Sequence, residues 1–73
     1  MVQVPELYDL ASRQDIAVLR YPMKENSSMS LMEPDGTCYI GMDAGVMDGG
    51  IQERMHLSHE LGHCITGSFY NIY

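Results

Sequence analysis

His59, Glu60 and His63 are the residues of this chain whose types and spacing could do chemistry. Histidines four positions apart on a helix share one face, one turn from each other, so both imidazoles can reach a single metal ion. Neutral imidazole nitrogen suits Zn2+ at about 2.0–2.1 Å. Glu60 follows His59 directly and so points beside the ion, where its carboxylate can take a proton from a water attacking a carbonyl. The His-Glu-x-x-His pattern thus reads as two zinc ligands and a general base, arranged by helix geometry. The competing reading is a pair of exposed histidines on a solvated helix beside an ordinary glutamate.

That chemistry requires a helix, and the sequence predicts one from near Gly49–Ile51 to about Thr66. Gly67 follows where a left-handed C-terminal cap is expected, a conformation glycine adopts without steric cost. At 100° per residue from Ile51, residues His56, His59, Glu60 and His63 gather on one side. Leu57, Leu61, Cys64 and Ile65 gather on another, so one stripe is expected in the core and its neighbour at a cleft. Gly62 inside the helix costs about 1 kcal/mol and is read as a mark of close packing. His56 shares the site stripe, but a helix rises about 10 Å from His56 to His63, too far for one ion to serve all three. It is read as a neighbour of the site or a surface residue, not a ligand. Cys64 is read as a core residue and Asp43 and Asp48 as loop and helix-capping residues. The methionines are read as core filler.

Upstream, Pro5–Gln14 reads as a short helix, with proline in the first turn and Leu7, Leu10 and Ala11 on one face. Ile16-Ala17-Val18-Leu19 reads as a buried strand ended by Tyr21-Pro22. Met29-Ser30-Leu31-Met32 and Thr37-Cys38-Tyr39-Ile40-Gly41-Met42 flank the turn Glu33-Pro34-Asp35-Gly36 and form a hairpin signal. Cys38, Ile40 and Met42 alternate with Thr37, Tyr39 and Gly41, as in a half-buried strand. The expected class is α+β: a short N-terminal helix, a small antiparallel sheet with a hairpin, then the site-bearing helix.

Composition narrows the partners. Ten acidic against four basic residues give a formal net charge of -6. Arg13, Arg20, Lys24 and Arg54 are scattered, so no basic stripe offers itself to phosphates or an anionic membrane. Direct nucleic-acid binding and membrane attachment are not expected. The N-terminus lacks the basic and apolar stretches of a secretory signal, and no apolar run reaches transmembrane length. Cys38 and Cys64 fit no metal-knuckle spacing and are expected as two free thiols in a reducing cytoplasm.

The stretch Gln52-Glu53-Arg54-Met55-His56-Leu57-Ser58-His59-Glu60-Leu61-Gly62-His63 resembles the active-site helix of the ImmA/IrrE family of metallopeptidases. The order of a short helix, a strand and a hairpin before it also fits, so the resemblance covers nearly the whole chain, although only the last helix is specific. It implies a bacterial or phage protein, often from a mobile element, with a zincin-like fold. His59 and His63 would be zinc ligands and Glu60 the general base. Several members cleave a helix-turn-helix repressor, which implies a protein or peptide substrate of that kind. Family members take a third ligand from an acidic residue on a following helix. Cys64 to Tyr73 holds no carboxylate and no histidine.

Residues 1–73 are therefore expected to form a single zincin-like domain, truncated at its C-terminus; the alternative is that another copy or a partner chain supplies the third ligand. The expected function is zinc-dependent peptide hydrolysis, weak or absent in so short a chain. The alternatives are a non-catalytic binding or regulatory remnant that keeps the fold, or a zinc hydrolase acting on another carbonyl. The uncharged, aromatic Ser68–Tyr73 segment is expected to favour self-association.

Overall fold

Helix α1 (Val4–Arg13) begins where Glu6 accepts a hydrogen bond from the Gln3 backbone N–H at 2.8 Å, half of a capping box. It lies one residue before the expected bounds at each end. Its buried residues, Leu7 and Ala11, come from the apolar face expected of it. The structure is a computed structural model and describes residues 2–24 and 26–67. The expectation for Ser68–Tyr73 lies outside them.

Three strands follow: β1 (Ala17–Arg20), β2 (Ser28–Met32) and β3 (Cys38–Met42). The β2–β3 hairpin is antiparallel as expected, with Ser28 opposite Met42 and Met32 opposite Cys38. Gly36 closes its turn at φ +95°, and its N–H bonds to the Glu33 carbonyl at 2.9 Å. β1 pairs with the far side of β3, in parallel, so the sheet order is β1-β3-β2 and the sheet is mixed, not antiparallel throughout. The pairing is a contact between distant segments, set by which side of the hairpin β1 meets, and no strand's own pattern decides it. β1 is thus an edge strand: Ile16 before it is buried, whereas Leu19 is half exposed, unlike the buried strand expected. The α+β class holds.

The central strand carries the core. Cys38, Ile40 and Met42 face inward and are buried, while Tyr39 and Gly41 turn to the other face. Helix α2 (Ile51–Thr66) lies across this inner face and contributes Leu57, Leu61 and Cys64. Ile65, expected in the same stripe, is 49% exposed, because the stripe in contact with the sheet runs through Glu53, Leu57, Glu60 and Cys64. Gly62 is exposed and an added Cβ would meet nothing within 4 Å, so it marks no close packing. Among the described residues Met42 is the fully buried methionine; Met29, Met32 and Met55 lie at the surface, not in the core. Gly67 caps α2 at φ 71°, its N–H bonding to the His63 carbonyl at 2.9 Å.

Cys38 and Cys64 are joined in a disulfide, with Cα atoms 5.8 Å apart, and are not the free thiols expected. One lies at the start of β3 and the other near the end of α2, and their side chains meet where helix crosses strand. This pairing removes the argument for a reducing compartment that rested on two free thiols. No helix among the described residues is long and apolar enough to cross a membrane.

Two aspartates hold the connection into α2. Asp43 accepts from the N–H groups of Gly45 at 3.0 Å, Asn26 at 3.3 Å and Met23 at 3.4 Å. Asp48 caps α2 through the N–H groups of Gly50 at 2.8 Å and Glu53 at 3.2 Å. Both therefore have the loop and capping roles expected of them. Bonds from the Gly45 and Met23 N–H groups hold the Asp43 carboxyl below its ordinary value of 3.8. Those from Gly50 and Glu53 do the same for Asp48. A folded value below the unfolded one stabilises the fold fully above the ordinary value and ceases to do so as pH falls through the depressed one. The melting temperature should fall on acidification below about pH 4, and less steeply in an Asp43→Asn, Asp48→Asn variant. Identical acid slopes for the two proteins would contradict the assignment. The effect is modest, since both carboxylates are exposed to solvent screening.

Candidate metal centre

Helix α2 sets the site by its pitch. His59 and His63 lie one turn apart, and their Nε2 atoms converge to 3.1 Å. Their rings meet edge to face, with centroids 4.6 Å apart and an interplanar angle of 89°. Two nitrogens bound to one zinc at about 2.0–2.1 Å in tetrahedral geometry would stand about 3.3 Å apart. The observed separation is close to that value without adjustment of the helix. Two neutral imidazoles can also approach this closely if one donates Nε2–H to the other.

The donor set fits zinc in kind and in spacing, and supplies two of the three protein donors usual in a catalytic site. Among the described residues no group of three or more His, Cys, Asp or Glu side chains is placed to hold a metal ion. Cys64 is committed to the disulfide, and Asp43 and Asp48 to the loop, so none of them joins the pair.

Glu60 is next to His59 in sequence but faces differently. It is buried at 6% exposure, turned toward β2, and its Oε2 accepts a hydrogen bond from the Ser28 hydroxyl at 2.9 Å. The same Ser28 oxygen lies 2.7 Å from Nδ1 of His56. Ser28, His56, His59 and Glu60 line one open cleft of about 610 Å³, with Met55 and Ser58 at its margin. A cleft of that size suits a small ligand or the side chains of a peptide. His56 thus shares the cleft with His59 and Glu60, its Nδ1 turned to Ser28.

A second buried carboxylate steadies the helix. Glu53, at 6% exposure, accepts from the Tyr8 hydroxyl at 2.5 Å and from the Gly49 N–H at 2.7 Å. Burial, the bond to Glu53 and the nearby negative charge all raise the Tyr8 phenol well above its ordinary value, so it stays a donor. The contact ties α1 to the first turn of α2.

Ser28 is the site residue that sequence reasoning missed. The hairpin pattern was legible, but nothing local marks a strand serine as the partner of a glutamate 32 positions away. Only the β2–β3 register, which puts Ser28 opposite Met42 on the inner face, brings it under α2. Comparison with protein-family models, curated proteins and solved structures finds no match to this chain.

Proposed function

We propose that this chain carries the catalytic helix of a zinc-dependent metallopeptidase of the ImmA/IrrE kind, hydrolysing peptide bonds, with a helix-turn-helix repressor as candidate substrate. The observation that carries this reading is the approach of His59 and His63 Nε2 to 3.1 Å, with Glu60 lining the same cleft as His59. His59 and His63 would hold the ion. Zinc bound there supplies a Lewis acid for the peptide carbonyl and the attacking water.

The remaining steps belong to the chain's own groups. Glu60 accepts a proton from the attacking water and returns it to the leaving amine, the usual double duty of a general base. β2 is an edge strand whose first residue, Ser28, borders the cleft. An extended peptide added along that edge would pass in front of Glu60, held by main-chain hydrogen bonds.

The test compares zinc-loaded parent with Glu60→Gln on a set of fluorogenic peptides and a helix-turn-helix protein. Hydrolysis should fall by about 10²–10⁴-fold in the variant, while zinc content is retained. Equal cleavage by both proteins would remove Glu60 from the chemistry. Partner binding that is indifferent to Glu60→Gln, with no product from the parent, would favour the non-catalytic reading.

A further inference from the structure

A serine hydroxyl has one proton to give. At Ser28 that proton goes to Glu60 Oε2, 2.9 Å away. The contact from Ser28 Oγ to His56 Nδ1 at 2.7 Å then has a donor only if Nδ1 itself carries a proton. We propose that Ser28 and His56 are positioning residues for Glu60, joined in one chain of donation from His56 Nδ1–H through Ser28 Oγ–H to the Glu60 carboxylate. The inference rests on the reading of Glu60 as the general base.

The arrangement answers a geometric need. A glutamate has several rotatable bonds, and a general base works only when one oxygen is held within reach of the proton it takes. Ser28 fixes Oε2, which leaves the other oxygen as the one to accept a proton. A lone serine hydroxyl would turn freely between acceptors, and His56 removes that freedom by donating to its oxygen. Because Ser28 lies on β2 and the other two on α2, the chain also locks the edge strand to the helix at the cleft. The rival arrangement has Ser28 donating to His56 instead, with the imidazole proton on Nε2 and Glu60 unsupported by the serine. The two differ in the tautomer of one ring.

That tautomer can be read by long-range nitrogen–proton NMR on the histidine-labelled, metal-free protein at about pH 8, where an ordinary imidazole is neutral. His56 should carry its proton on Nδ1, against the usual preference of a free imidazole for Nε2–H. Ser28→Ala should shift the ring to Nε2–H and move the Glu60 carboxyl carbon signal; Ser28→Thr should restore both. A parent His56 protonated on Nε2 would overturn the proposal, as would a Glu60 carboxyl signal unmoved by Ser28→Ala. If Ser28→Ala does not fold, the parent tautomer and its retention in Ser28→Thr decide the matter. Neither readout needs zinc or turnover. An Nε2–H ring therefore refutes only the positioning chain, whereas undiminished cleavage by Glu60→Gln refutes the base.

Discussion

Replacing Leu57 by alanine is expected to lower the unfolding free energy by about 2–5 kcal/mol. Leu57 is fully buried where α2 crosses the inner face of the sheet, in one cluster with Ile40, Met42 and Val46. A truncated side chain there loses its transfer energy and leaves a cavity that a helix pinned at both ends cannot close. The pins are the Cys38–Cys64 disulfide at one end and the Glu53 contacts with Tyr8 and Gly49 at the other. A domain of this size has only about 5 kcal/mol or so to lose. The variant should therefore be partly unfolded at room temperature, as urea titration followed by circular dichroism would show. A midpoint within error of the parent's would mean that α2 does not pack on the sheet through this residue. The site would suffer too, since Leu57 and Glu60 lie on the same buried stripe of α2.

His59→Ala is expected to remove zinc binding at the pair. With the His59–His63 pair as the donors, the variant keeps one imidazole, and one neutral nitrogen does not hold zinc against water and buffer. Loss of even a supporting partner outside the ligand set costs about 10–100-fold in affinity, so loss of a ligand should exceed that. The fold should be unaffected, because His59 is exposed on α2 and the core lies on another stripe. His56→Ala is the matched control on the same helix, expected to keep the metal.

Much of this was legible in the sequence, for local reasons. The alternation of Cys38, Ile40 and Met42 is a property of consecutive residues, and so is the turn closed by Gly36. The ends of α2 follow from Asp48 and Gly67, each of which satisfies backbone groups within a few residues of itself. The facing of His59 and His63 follows from helix pitch. The features that were not legible depend on contacts between distant segments. The parallel pairing of β1 with β3 reflects which side of the hairpin the earlier strand meets. The Cys38–Cys64 bond depends on where α2 crosses β3. The exposure of Ile65 depends on which of two adjacent stripes the sheet selects, and the same selection buries Glu60. Ser28 reaches Glu60 only once both choices are made. A helical wheel divides a helix into faces without saying which face a sheet will take.

The central claim, that His59 and His63 are a pair of zinc ligands, is tested most directly by native mass spectrometry with added zinc on the parent, His59→Ala and His56→Ala proteins. One zinc per chain in the parent and in His56→Ala, lost in His59→Ala, is the expected result. Zinc retained by folded His59→Ala, or absent from the folded parent at zinc concentrations that saturate other two-histidine sites, would contradict it.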